Sequence, residues 1–592
     1  MIAGRSVIML YHSWHDLPYT KIFACDFEFY GDDADLKIPV CLAIRELRSG
    51  KIYRYWQDEL ITMKEAPFST GPEVLWTAYY SSAEWGIFHQ LGWKIPERIF
   101  DCYTEFSCET NGQELLGGRS LLNALDYFKC ETSLGEEKTR MRDLILTGGP
   151  WTEEQQLEIL DYCQSDVDAL AQLFPRMVET WIMDEQRLGH ALLRGRYMAA
   201  VSKIEQNGTP VDIELLQKLQ DNWEKIKLGL ITEVDKEYCV YEDGHFKVAK
   251  FENYLTTQSI PWPRLQSGSL KLDRDTFKEQ QRAYPQLKSL YDLRVTLDEM
   301  KLNRLTVGKD GRNRVMLSPF RAKTGRNQPS TSRFIFGPST WLRGLIKPTV
   351  GNSVAYIDWK SQEIAVAAAK SGDDVMWNAY SSGDPYMAFA IQSGLAPANA
   401  TKLTHKSVRD RCKVIVLGVQ YGMTAVGMAR GSGLLEAEAQ DLIRRHHETY
   451  KVFWQWAEGN ASAALFGLPL QTCFGWKIQA GLGTDPKERT FLNWPMQANA
   501  AEMLRLACCM ATEAGLKICA PIHDALLLEA PTDRILEQIK CLESIMRAAS
   551  EAVLGDGKFC GVDIQVVNYP DRYQDERGAE MWALVMDLLE RC

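Results

Sequence analysis

Lys517-Ile-Cys-Ala-Pro-Ile-His523-Asp524-Ala-Leu-Leu-Leu-Glu529 reads as a strand, a two-residue turn and a second strand, with His-Asp at the turn. Far upstream, Val354-Ala-Tyr-Ile-Asp358 reads as another strand ending in an acid, followed by Trp-Lys-Ser-Gln-Glu363 and an Ala-rich helix. Either acid alone is most simply a turn or capping residue. Together they predict two neighbouring strands that each present a carboxylate. That pattern suits two-metal phosphoryl transfer, in which the ions stand ~3.5–4 Å apart to serve the attacking and leaving oxygens.

Working outward, Arg409-Asp-Arg-Cys-Lys413-Val-Ile-Val-Leu417-Gly-Val-Gln-Tyr421-Gly422 places Arg409, Lys413, Leu417 and Tyr421 four residues apart. They form one stripe of a helix ~18 Å long at 1.5 Å per residue. The stripe is cationic, then apolar, then aromatic, which matches a ligand with a polyphosphate tail, a sugar and a flat base. An amphipathic helix with snorkelling cations gives the same row, so the stripe gains its meaning from its company.

The N-terminal third carries a second acidic pattern. In Phe23-Ala-Cys-Asp26-Phe-Glu28-Phe29, strand alternation puts Asp26 and Glu28 on one face while Phe23 and its apolar neighbours build a core. Tyr162-Cys-Gln-Ser-Asp166 places a phenol and a carboxylate on one helix face. Oxygen ligands of this kind suit Mg²⁺, and acids converging from two elements suit phosphodiester hydrolysis.

Composition bounds the rest. A chain of 592 residues predicts three or four domains. No apolar run approaches the ~18–20 residues of a membrane helix, and no cleavable secretory signal is legible. The fifteen cysteines are scattered without a CxxC pair, which points to reduced thiols rather than zinc or disulfides. Residues 1–180 hold 29 acids against 16 bases, so from a total of −11 the remaining 412 residues carry +2. Residues 301–347 concentrate 11 Lys/Arg against Asp310 alone, a candidate phosphate-binding surface.

The pattern predicts strands at Ser6–Tyr11, Lys21–Tyr30, Val40–Ile44 and Ile52–Trp56, and helices at Ala83–Leu91, Ser120–Tyr127 and Glu153–Phe174. A charged helical region follows from Asp184 to Leu305. The last 250 residues mix short strands with helices at Lys406–Ala429, Glu436–Glu458 and Pro495–Ala514.

Asp26, Glu28, Tyr162 and Asp166, in that order, resemble the DEDD superfamily of 3′→5′ exonucleases in its tyrosine-bearing subgroup. The stretch matching that family's further acid is Ala78-Tyr-Tyr-Ser-Ser-Ala-Glu84-Trp85, which departs from its pattern; Glu84 is the choice for this acid and Asp101 the runner-up. Lys413-x7-Tyr421-Gly422, Asp358 with Glu363, and His523-Asp524 resemble the three signature motifs of family A DNA polymerases, the family of bacterial DNA polymerase I. Thr324-Gly325-Arg326, Leu342-Arg343-Gly-Leu-Ile-Lys-Pro348 and Arg489-x3-Asn493-x3-Gln497 match further segments in the family's order.

The resemblance implies an α+β multidomain fold. An RNase H-like α/β exonuclease domain at residues 1–183 would precede a right-hand polymerase body at 184–592. Its thumb would lie at about 190–305, its palm at about 306–385 and 470–592, and its fingers at about 386–469. Asp358 and Asp524 would hold two Mg²⁺ ions, and Asp26, Glu28 and Asp166 two more, with Mn²⁺ as a substitute. Arg409 and Lys413 would bind a deoxynucleoside triphosphate, with Lys413 placed to protonate pyrophosphate. Glu363 would exclude a ribose 2′-hydroxyl, Tyr421 would stack near the templating base and His523 would support the primer terminus. Thr324, Arg326, Arg489, Asn493 and Gln497 would contact primer–template DNA.

Three residues depart from the family: Leu417 for an aromatic, Ala525 for an acid, and Tyr386 for a triphosphate-contacting His. With the chain length, they point to a phage replicative polymerase acting in the host cytoplasm, with helicase and single-strand-binding protein as further partners. Single-subunit RNA polymerase, a degenerate DNA-binding scaffold and a nuclease with a DNA clamp are the competing readings. Glu363, the intact acids, and Arg409 with Lys413 argue against them in turn.

Overall fold

The computed structural model describes residues 10–131, 138–299, 304–337, 339–420, 422–432, 434–480 and 488–592. Tyr421 and most of the strand expected at Ser6–Tyr11 lie outside them; Leu10 forms an isolated bridge with Asp184.

The N-terminal unit is built on five strands: β1 (Lys21–Tyr30), β2 (Ile38–Glu46), β3 (Ile52–Trp56), β4 (Val74–Ala78) and β5 (Ile99–Asp101). Their order is β3-β2-β1-β4-β5, antiparallel on the β2–β3 side and parallel on the β4–β5 side. Helix α1 (Ser82–Leu91) packs on one face and α2 (Glu153–Trp181) on the other. The β-branched and aromatic residues of β1 bury Ile22, Phe23 and Phe27 and leave Asp26 and Glu28 half-buried. The pattern predicts α2 to stop before Pro175, yet the helix continues to Trp181. Its apolar stripe, including Leu173, Phe174, Met177 and Val178, is buried, and this packing outweighs the one lost backbone donor.

Helix α3 (Glu185–Asn207) joins this unit to the rest. It lies against α1 and β5 on one side, and on the other against the long helix Glu488–Glu513 and the strand Lys517–Ile522. The second sheet comprises β6 (Asn352–Trp359), β7 (Lys517–Ile522), β8 (Ala525–Pro531) and β9 (Val562–Asn568), all antiparallel in the order β7-β8-β6-β9. Helices Val248–Thr257, Arg274–Ala283 and the start of Lys288–Glu299 share a small core around Phe251, Phe277 and Leu287, while Ile213–Asp221 and most of Trp223–Tyr238 pack in the second sheet's cluster with Leu345 and Val354.

Two predicted helices divide. Lys406–Ala429 ends at Gln420, because Gly422 adopts φ +66° and its N–H and that of Met423 turn back to the Val419 and Gly418 carbonyls. Glu436–Glu458 breaks at Tyr450, a buried residue whose hydroxyl reaches Gln392 at 3.1 Å. Among the described residues no helix is long and apolar enough to cross a membrane, and the fifteen cysteines are unpaired.

Gly195 and Gly189 make a matched test of the α3 seam. A β-carbon at Gly195 would collide with the Ile99 backbone, whereas one at Gly189 would meet nothing within 4 Å. Gly195→Ala is expected to destabilise by about 1–3 kcal/mol, as overpacking does. Gly189→Ala, gaining helix propensity, is expected to stabilise by about 0.5–1 kcal/mol. Urea unfolding of both variants checks the pair of signs.

Candidate active sites

The first site forms where β1, α1 and α2 meet. Ligand oxygens of Asp26, Glu28 and Asp166 all lie within 4.8 Å of one another. Desolvation and the neighbouring Asp166 push the Glu28 carboxyl up to about 8. Burial likewise raises Asp26, with Asp166 and Glu28 adding to it, and raises Asp166. The Cys163 thiol donates to the Asp26 carbonyl at 3.2 Å, tying α2 to β1 at this point. Tyr162 is half-buried one turn before Asp166, its phenol raised by burial and by those same acids.

The two candidates for the further acid, Glu84 and Asp101, differ in what already occupies them. Asp101 caps the helix Cys102–Glu109, accepting from Thr104 N–H at 2.8 Å and from Ser81 N–H and Oγ–H at 2.6 Å each. Glu84, on α1, is buried with its Oε2 unpartnered, and its carboxyl is raised by burial and by repulsion from acids that include Glu28 and Asp166. Sequence reasoning passed over Lys138, whose charge partly offsets Glu28 and Asp166. No local pattern marks it.

The second site lies on the β6–β8 edge. Asp358 stands in register with Ala525 on one side and Asp563 on the other. Asp524 sits in the two-residue turn between β7 and β8, where exposed His523 takes φ +55° and Asp524 turns its carbonyl to the Trp359 N–H at 3.2 Å. A left-handed residue in so short a turn is what aims Asp524 back at β6. Burial and the facing Asp524 push Asp358 up to about 8, while burial raises Asp524 with Arg326 opposing.

Around these acids the predicted residues gather in part. Helix α4 (Gln362–Ser371) starts after Ser361 and carries Glu363 in its first turn. Glu363 accepts from Arg326 at 3.2 Å, so Arg326, expected on DNA, pairs here with Glu363. Its loop is pinned: the Lys323 carbonyl accepts from Trp476, Trp494 and Asn111, and the Gly325 carbonyl from Arg505 at 2.8 Å. Thr324 is half-buried in that loop.

Helix α5 (Pro385–Gln392) places Tyr386, 8% exposed, beside helix α6 (Lys406–Gln420). Along α6, Arg409 and Leu417 are half-buried and Lys413 is exposed, while Cys412, Ile415, Val416 and Val419 face the core. Helix α7 (Glu488–Glu513) shows exposed Arg489 and half-buried Asn493 and Gln497 on one stripe.

The basic run is less open than its charge suggests. Arg312 pairs with Glu529, Arg314 with Asp310, Arg333 with Asp33, Arg343 with Asp575, Lys347 with Asp212 and Lys309 with Asp35. Arg321 and Lys323 remain at the surface. Of these cations, Arg312, Arg333, Arg343, Lys347 and Lys309 thus meet acids distant in the chain, and Arg314 meets Asp310 four residues away.

Both carboxylate groups fit hard divalent cations. Asp166 Oδ1, Glu84 Oε2 and Asp358 Oδ1 are buried without hydrogen-bond partners, and such orphaned oxygens with like-charged neighbours call for a cation.

Residues 337–566 match the family model described as DNA polymerase family A. The chain is 24% identical over 436 residues to DNA polymerase I of Aquifex aeolicus, covering 67% of this chain and 73% of that protein. It is 22% identical over 518 residues to DNA polymerase I of Chloroflexus aurantiacus, covering 81% of this chain and 53% of that one. With a thermostable DNA polymerase I of Thermus thermophilus it shares 28% over 191 residues, 30% of this chain and 22% of that protein. Among the curated relatives it thus spans from about a fifth to about three quarters of their length. The fold superposes on a solved structure titled the POL domain of Pol1 from M. smegmatis in complex with DNA primer-template and dNTP. The TM-score is 0.66 at 17% identity, covering 93% of this chain and 96% of that one. The architecture is therefore that of a DNA polymerase POL domain.

The raised carboxyls give a pH signature. Glu28 and Asp358 hold protons up to about 8 when folded, while the unfolded chain releases them near 4–4.5. Their contribution to stability is present below that unfolded value and lost as pH rises through about 8. In EDTA, the urea midpoint is expected to fall between pH 5 and 8, with millimolar Mg²⁺ flattening the slope. Asp358→Asn should make the EDTA slope shallower; a slope equal to that of the unsubstituted protein would remove Asp358 as a source.

Proposed function

We propose that this chain, whose residues 337–566 match DNA polymerase family A, is a template-directed DNA polymerase with a 3′→5′ proofreading exonuclease in its N-terminal unit. The observation that carries the reading is the facing pair Asp358 and Asp524 in one segment with a cationic helix. A row of interacting charges runs from Asp524 through Glu363, which feels its charge, and Tyr386, which feels that of Glu363, to Arg409 Cζ and Lys413 Nζ, 5.4 and 5.9 Å from the Tyr386 ring. It lies wholly within the matched segment.

In this reading residues 1–183 are the exonuclease domain and 184–592 the polymerase, with thumb, palm and fingers at the bounds given above. Asp358 and Asp524 would hold two Mg²⁺ ions at the polymerase site, and Asp26, Glu28 and Asp166 two more at the exonuclease site. When bound, the ions supply positive charge that stabilises the phosphoryl transition state. The residues do the rest by positioning. Arg409 and Lys413 grip the triphosphate of an incoming deoxynucleotide, and Lys413 delivers a proton to the departing pyrophosphate. The primer 3′-hydroxyl attacks the α-phosphorus in line as the bond to pyrophosphate breaks. Glu363, held by Arg326, fills the space a ribose 2′-hydroxyl needs. Leu417 lines the sugar region, and Tyr421, outside the described residues, stacks near the templating base. Thr324, Arg489, Asn493, Gln497 and His523 track the duplex.

At the exonuclease site, Tyr162 orients the attacking water. The unpartnered Glu84 Oε2 supports its choice as the further acid over the saturated Asp101. A phage replicative role in a bacterial cytoplasm, beside helicase and single-strand-binding protein, completes the proposal.

A 5′-labelled primer on a DNA template with Mg²⁺ tests it directly. Lengthening is expected with deoxynucleotides and shortening without them; a primer unchanged in both lanes would remove the reading. Asp358→Ala should cut extension by on the order of 10²–10³-fold or more and spare 3′-end digestion. Asp166→Ala should do the reverse. Glu363→Ala should admit ribonucleotides, and unaltered sugar selectivity would count against its gate role.

A further inference from the structure

The segment Gly383-Asp384-Pro385-Tyr386 meets two of the cations of α6, Arg409 and Lys413, through an acid and an aromatic ring. Arg409 donates its Nε–H to Asp384 Oδ2 at 2.5 Å, with the two side chains 16% and 28% exposed. The other oxygen, Asp384 Oδ1, accepts the Met387 N–H at 3.2 Å and caps α5, whose first residue is Pro385. A carboxylate fastened at a Pro-led helix start is rigid, so it fixes the plane of any guanidinium it holds. Asp410 lies 3.6 Å from Arg409 Nη1 but is exposed, and constrains it less. Two residues on from Asp384, the buried Tyr386 ring lies 5.4 Å from the Arg409 Cζ and 5.9 Å from the Lys413 Nζ. One ring thus attracts two cations that repel each other.

We propose that Asp384 and Tyr386 are positioning residues for nucleotide binding: Asp384 aims the Arg409 guanidinium, and the Tyr386 ring seats Arg409 and Lys413 at triphosphate spacing before a nucleotide arrives. The inference rests on the reading that these two cations grip the triphosphate. A guanidinium has five N–H donors in one plane, so committing Nε–H to Asp384 leaves the terminal nitrogens available to phosphate oxygens. The Tyr386 side chain also lies near Ser361, the residue that starts the helix bearing Glu363. The same side chain therefore registers the phosphate end of the nucleotide against its sugar end. Pre-organisation of this kind acts on affinity, because ordering costs are met in the free protein.

Asp384→Asn separates this role from helix capping, since Asn caps as well as Asp but lacks the charge that holds Arg409. Single-nucleotide incorporation on a primed template would be measured for Asp384→Asn, Tyr386→Leu and Tyr386→Phe, with Tm alongside. Asp384→Asn is expected to raise KM for the deoxynucleotide by about tenfold, about 1.4 kcal/mol, with kcat within about twofold and no loss of Tm. Tyr386→Leu should raise KM similarly, and Tyr386→Phe, which keeps the ring, should stay nearer the parent. If Asp384 merely repelled the triphosphate, Asp384→Asn would lower KM, and that result would overturn the proposal. An unmoved KM, with or without a drop in Tm, would overturn it too and leave Asp384 a plain cap. Should the unsubstituted protein itself fail to extend any primer, the polymerase reading beneath the proposal falls; extension with an unmoved KM sinks only the proposal.

Discussion

Close approach of helix α3 to strand β5 is the contact on which the relation of the two halves depends. Gly195 lets the helix backbone ride against Ile99, and Arg194 beside it buries its charge on Glu105 at 2.6 and 2.8 Å. The same guanidinium donates to the Phe474 carbonyl at 3.1 Å, across the seam. A buried ion pair gains little net stability over apolar contact, but leaving either member alone costs several kcal/mol. Its consequence is specificity: only one placement of the five-stranded sheet against the body satisfies Glu105, Arg194 and Phe474 together. One continuous apolar cluster accordingly runs from Phe23 and Trp76 through Tyr197 and Met198 to Trp476 and Met503.

On each side of that seam the structure accepts an electrostatic cost. Asp26, Glu28 and Asp166 crowd one another at the first sheet, and Asp358 faces Asp524 at the second. Like-charged, partly buried carboxylates destabilise a fold, so they persist where rigid strands and helix faces over-determine their placement. Asp26, Glu28 and Asp358 sit on strands, Asp166 on a helix and Asp524 in a two-residue turn, all short-tethered to regular elements that fix the oxygens in place. Asp563 and Ala525 flank Asp358 across the sheet, so the acid missing on one side has a charged counterpart on the other.

The basic stretch at 301–347 illustrates how charge is spent. Arg312 and Lys517 both converge on Glu529, a carboxylate 1% exposed on strand β8 of the Asp524 hairpin, and lower its pKa against the pull of burial. Arg577, with Arg343, does the same for Asp575. These cations stiffen the support of the site instead of offering a surface. Arg326 is likewise paired, with Glu363.

What the sequence by itself determined is what depends on neighbours along the chain. Alternation set the faces of Asp26 and Glu28, the His-Asp turn set the β7–β8 hairpin, and four-residue spacing set the α6 stripe. Each is decided within a few residues, so each is legible without a fold. The continuation of α2 past Pro175 and the break at Tyr450 were not, because packing against distant elements overrode the local preference. Partner choice was the other illegible part. Nothing near Arg409 in the chain says that Asp384 will take its Nε–H, nor near Arg326 that Glu363 will. Nothing near Glu84 says that Asp101 will be saturated by Ser81 and Thr104. Ion pairs and orphaned oxygens are settled by which remote groups arrive at the same place, and only the tertiary structure decides that.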